Sequence, residues 1–144
     1  MSDALTNPFI GSWHYRSLFN EAGAQADWNK LQFGEGTLVF AAAPMGLVAG
    51  HIGGPGWNLN LRGNLTYGNP NQARFQGTGV VSGEEWVYDY LGWLVPQWPN
   101  GVSQVPAIVG TVVRTVPHSS GTPGGVSPAG VVASFYAVRM PTPG

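Results

Sequence analysis

The chain has 144 residues, one domain's worth, and its six basic and seven acidic side chains leave a formal net charge of -1; with no basic stripe to displace phosphate counterions, nucleic-acid binding is excluded. It has no cysteine, which excludes disulfides, thiolate metal sites and cysteine nucleophiles. The 22 glycines and 12 prolines would suggest low complexity, but 43% of the residues are hydrophobic and 12% aromatic, so the chain can bury a core and its Gly and Pro read as turns.

The opening MSDALTNPFIG has neither a basic stretch nor an apolar core of the kind a signal peptide needs, and no apolar run approaches a membrane span. The expectation is a cytoplasmic protein without a membrane partner. Helical periodicity is scarce; only Glu21 to Lys30 reads as a short helix. Instead, runs rich in Val, Thr, Phe, Tyr and Trp recur between turn signals. In chain order they are Phe9 to Phe19, Gly36 to Ala43, Gly46 to Ile52, Gly56 to Leu65, Ala73 to Ser82, Glu84 to Val95, Ile108 to Val116 and Gly130 to Met140. No connection is long and helical enough for a parallel crossover, the longer ones being the loop Pro96 to Gly101 and a Ser/Gly/Pro loop over Ser119 to Pro128. The pattern predicts an all-β fold, an antiparallel up-and-down barrel of about eight strands, because closing the meander removes its exposed edges. Residues 1–144 form a single domain in this reading, with Pro141 to Gly144 a disordered tail.

Gly11-Ser12-Trp13 opens the first run, and Arg139 lies near the end of the last. A GxW on the first strand with an arginine on the last resembles the calycins, the lipocalin and avidin-like barrels. The resemblance implies that Trp13 plugs one barrel end and that Arg139 packs across it, as a guanidinium stacks well on an indole face.

Strand alternation assigns faces. If Trp13 points inward, so do Phe9, Tyr15 and Ser17. Trp57, Leu59 and Leu61 share a face; so do Trp86, Tyr88, Tyr90 and Gly92; and so do Ala133, Phe135, Ala137 and Arg139. Several strands are apolar on both faces, which predicts a homo-oligomer.

The segment from Glu84 to Trp93 is the densest aromatic and acidic cluster. An Asp89 turned into the barrel is a candidate general acid or base, with Tyr90 or Tyr88 polarising a carbonyl, although alternation puts Asp89 on the opposite face from the tyrosines. His51 beside Gly53-Gly54 and His118 at the start of the Ser/Gly loop are candidate mouth residues, either proton shuttles or solvated turn histidines. The candidate catalytic set is thus Asp89, His51 and Tyr90. Arg114 sits mid-run, where it is solvated, pairs with Asp89 or Glu85, or anchors an anionic ligand group. Trp98, in the proline-stiffened loop Pro96 to Gly101, is a lid or a subunit contact. Candidate ligand-binding residues are Tyr15, Tyr88, Trp57, Phe135, Arg114 and Trp98. The histidines have no ligand spacing, so no metal and no cofactor is expected. The reading that results is a barrel that binds a small apolar or aromatic molecule. The alternative is a cofactor-independent enzyme (a cyclase, isomerase or lyase) using the same cavity with one acid/base residue.

Overall fold

The computed structural model describes residues 7–21 and 27–141. The alternating runs become β1 (Gly11–Phe19), β2 (Gln32–Ala41), β3 (Leu47–Gly54), β4 (Trp57–Thr66), β5 (Gln72–Val81), β6 (Glu84–Leu94), β7 (Ala107–Arg114) and β10 (Val132–Arg139). Each pairs antiparallel with its neighbour, and β10 returns to β1, so these eight strands close into a barrel. The all-β barrel expected from the turn-punctuated pattern is the fold. Among the described residues no helix is long and apolar enough to cross a membrane.

Two stretches differ from expectation. β2 begins at Gln32 rather than Gly36, because Gln32 to Glu35 pair with the end of β1 despite the glycine at position 34. The pairing slips at Ser17 and Leu18, leaving Phe33 as the extra residue of a bulge. The Ser/Gly/Pro loop also carries structure, a short hairpin of β8 (His118–Ser119) and β9 (Val126–Ser127). Of the helix expected over Glu21 to Lys30, residues 22–26 lie outside the described residues; Trp28–Leu31 form one 3-10 turn capped by the Asp27 side chain. The expected tail also falls outside the described residues beyond Pro141.

The barrel has a filled half and an open half. At the end where β1 begins and β10 finishes, Trp13 is completely buried and its Nε1 donates to the Phe9 carbonyl at 2.9 Å. The Arg139 guanidinium lies 4.6 Å over the Trp13 ring, and its Nη2 donates to the Pro8 and Ile10 carbonyls at 2.8 and 3.0 Å. Gly11 starts the strand beside this guanidinium with a φ of +139°, a backbone conformation that suits glycine. An aromatic ladder continues inward, from Phe9 to Phe40 (5.9 Å between ring centres), to Phe75 (5.2 Å) and to Tyr90 (4.9 Å, stacked). Side chains therefore pack this half solid.

Tight strand approach depends on small residues. Gly110 of β7 lies opposite Gly92 of β6 and Phe135 of β10, and a Cβ added to it would sit 1.9 Å from the Leu91 carbonyl oxygen. Backbone has to move to admit even a methyl group. Gly110→Ala is expected to cost about 1–3 kcal/mol of stability, the range for overpacking a closed core. Urea unfolding measures it, and an unchanged midpoint would contradict a tight β6–β7 seam.

Candidate functional site

At the other end, where β1 finishes and β2, β4 and β6 pass the rim, the packing stops short. A cavity of about 190 Å³ opens there, walled by Tyr15, Phe33, Trp57, Trp86, Tyr88 and Tyr90, with Leu59 and Val112 between them. Alternation brings them together: Tyr15 faces inward with Trp13, Trp57 with Leu59, and Tyr88 and Tyr90 with Gly92. A shallower recess of about 340 Å³ continues outward from the same indoles, Trp57 and Trp86, past His118 and the hydroxyl-bearing Ser119, Ser120 and Ser127.

The wall between the two spaces is a chain of polar contacts. Arg114 Nε donates to Tyr88 Oη at 3.0 Å, and Tyr88 Oη lies 2.7 Å from His118 Nε2. His118 Nδ1 lies 2.9 Å from the Ser119 carbonyl, which can only accept, so in the neutral imidazole Nδ1 carries the hydrogen and Nε2 accepts from Tyr88. The imidazole stacks on Trp86, with 4.0 Å between ring centres. The hairpin carrying His118 is held down by Ser119 N donating to Glu84 Oε1 at 3.0 Å, and by Arg114 Nη1 donating to the Pro128 carbonyl at 3.1 Å.

Three phenols face this interior, and burial raises the pKa of each. For Tyr15, desolvation dominates over a hydrogen bond with Ser17 that works the other way. For Tyr88, desolvation again leads, opposed by the Arg114 hydrogen bond and charge. Tyr90 is raised well above the ordinary value by burial, and then by the neighbouring Tyr15 and Tyr88. All three are neutral hydrogen-bonding groups near pH 7.

The structure sorts the residues singled out by sequence. Tyr15, Trp57, Tyr88 and Tyr90 line one cavity. Phe135 is buried one layer behind, 5.4 Å from the Tyr15 ring, and supports the wall without forming it. Arg114 faces inward and is only 8% exposed, yet Phe33 (4.9 Å) and Tyr88 cover its guanidinium, so it reaches the cavity through Tyr88 rather than anchoring a ligand directly. It does not pair with Asp89 or Glu85.

Three expectations need correction. Asp89 lies on the outer face, where it accepts from Gln76 Nε2 at 2.8 Å, because the inward positions of β6 are taken by Tyr88 and Tyr90. His51 is exposed on the outside of β3, between Val48 and Ile52, which do the filling. Neither lines the inner cavity with Tyr90. Trp98 is 75% exposed in the β6–β7 loop, at the sealed end, where Gln104 staples the loop through its amide; it is not a lid over the cavity.

Sequence reasoning placed His118 at a mouth but missed its bond to Tyr88, and it missed Phe33 altogether. Phe33 precedes the run taken as the second strand, in a segment with no clean alternation. Among the described residues no cluster of three or more His, Asp or Glu side chains is arranged to hold a metal ion. Compared with known protein families, curated proteins and solved structures, the chain matches none.

Proposed function

We propose that the protein binds one small, largely apolar or aromatic molecule in the open half of its barrel. The observation that carries this reading is the 190 Å³ cavity that begins where the aromatic ladder ends, at Tyr90. Small closed barrels are either filled by their own side chains or hold a ligand, and here one chain does each in a different half. The cavity is below the usual 300–1,000 Å³ or so of drug-sized sites, which favours a ligand of one or two rings. The Trp13 and Arg139 plug supports grouping the barrel with calycin-like binding proteins. Exposed Val109, Val132 and Tyr136 on the adjoining outer faces of β7 and β10 support self-association as part of the same reading.

Native mass spectrometry of gently purified protein tests this. The expected result is a discrete small molecule per subunit, released on unfolding, with the subunit count read from the same spectrum. A bare protein that also takes up no small aromatic compound would overturn the reading.

A second reading, a cofactor-independent isomerase, cyclase or lyase, is favoured by one observation. The Tyr88–His118 hydrogen bond sets a proton donor and an acceptor at the cavity wall, polarised by Arg114. If the protein transforms its ligand, the molecule released from wild type differs from that released from Tyr88→Phe; identical molecules exclude it.

A further inference from the structure

We propose that the ligand is a neutral compound with a hydrogen-bond-accepting oxygen at its buried end, of the class of small aryl ketones and aldehydes, held by the Tyr90 hydroxyl. The inference deepens the binding role proposed above and rests on it.

Of the three phenols around the cavity, Tyr88 is bonded to Arg114 and His118, and Tyr15 has the completely buried Ser17 beside it, whose hydroxyl works to lower its pKa. The hydroxyl of Tyr90, a residue only 4% exposed, makes no hydrogen bond within the described residues. Nor is its oxygen sealed off: among the described residues the occluded side-chain atoms without a partner are Arg16 Nε and Arg139 Nε, and Tyr90 lines the cavity. A buried hydroxyl without a partner costs about 1–3 kcal/mol, a penalty relieved when something in the cavity accepts from it. Its ring lies flat on Phe75, at the boundary between the filled half and the cavity, so its partner is the innermost atom of a ligand.

The surroundings select against an anionic partner. Among the described residues no cation lines the cavity, whose one acidic lining residue is Glu35 at the rim: the Arg114 guanidinium is bonded to Tyr88 and the Pro128 carbonyl behind Phe33, and Arg139 is at the sealed end. A carboxylate at Tyr90 would be desolvated against aromatic rings with a single neutral donor, which is costly. A carbonyl keeps its partner without that penalty. The aryl part then lies among Tyr15, Phe33, Trp57 and Trp86, whose faces and edges suit an aromatic ring.

Three probes of similar size separate these ideas: acetophenone, isopropylbenzene and benzoate, titrated calorimetrically into wild type and Tyr90→Phe. The substitution removes one unpartnered oxygen, so both proteins should show the same urea midpoint or a slightly higher one for the variant. The ratio of the acetophenone to the isopropylbenzene Kd is expected to rise about tenfold in Tyr90→Phe, the effect of one buried neutral hydrogen bond, while isopropylbenzene binding is unchanged. Benzoate is expected to bind most weakly to both. If isopropylbenzene binds and the ratio does not move, the cavity reading stands and the Tyr90 anchor fails. Tightest binding by benzoate overturns the neutral-ligand assignment. Binding of none of the three overturns this inference together with the role it rests on.

Discussion

Trp13→Ala is expected to lower the unfolding free energy by about 3–5 kcal/mol, the range for truncating a fully buried tryptophan. Three losses coincide there. The indole is completely buried and fills the barrel end, its Nε1 ties the strand to the Phe9 carbonyl, and its face carries the Arg139 guanidinium at 4.6 Å. Removing the ring leaves a void and strips Arg139 of its stacking partner, while the carbonyls of Pro8 and Ile10 still hold the guanidinium in place. For a domain of this size, the corresponding fall in Tm is about 10–15 °C. Trp13→Phe keeps an aromatic face and is expected to lose less. Thermal and urea unfolding of the three proteins measure the series, and a Trp13→Ala loss below about 1 kcal/mol would contradict the plug.

The barrel was legible because its strands obey a period of two wherever one face is buried. Trp13, Tyr15 and Ser17 are buried while His14 between Trp13 and Tyr15 is exposed, and Leu59, Leu61 and Leu65 alternate with exposed asparagines and an arginine. The glycines and prolines marked the turns for a physical reason, since Gly46, Gly56, Gly83 and Gly130 take the positive φ that other residues avoid. The start of β2 was not legible, because Gln32 to Glu35 become strand through pairing with β1 across a bulge rather than through their own pattern. The β8–β9 hairpin escaped for a similar reason: it is held by Glu84 and Arg114, residues distant in sequence.

The site was legible in part, and the division follows from what alternation reports. It gives the face of a residue and not its depth along the barrel. It put Tyr15, Trp57, Tyr88 and Tyr90 inside, where they line the cavity, and Phe135 inside as well, where it lies one layer behind. It also argued against Asp89, whose chemistry made it attractive and whose register turns it outward. The register of β3 turns His51 outward beside the buried Ile52, and depth decided Trp98, which lies at the end that Trp13 closes. The Arg114–Tyr88–His118 chain joins β7, β6 and β8, so it exists only once the barrel is closed and the hairpin folded over it.

The same buried phenols predict a steep loss of stability in alkali. In an unfolded chain, tyrosines release their protons near pH 10. Burial raises the pKa of Tyr15 and Tyr90 in the folded barrel, so above pH 10 the folded state holds protons that the unfolded state has released. Stability then falls as pH rises, by about 1.4 kcal/mol per unit for each such group. The contribution is fully present below pH 10 and is lost as pH climbs toward the folded values. Tyr15 and Tyr90 together give a slope of about 3 kcal/mol per pH unit, enough to exhaust an ordinary domain's stability within a few units. Tyr88 adds to it in the same direction, moderated by the Arg114 hydrogen bond. Urea unfolding at intervals above pH 9, with phenolate absorbance followed in parallel, measures the effect. Phenolate from these residues is expected to appear only with unfolding, and Tyr90→Phe is expected to lower the slope by one proton's worth. Ionisation of all the tyrosines before the barrel opens would contradict the packing around Tyr15 and Tyr90.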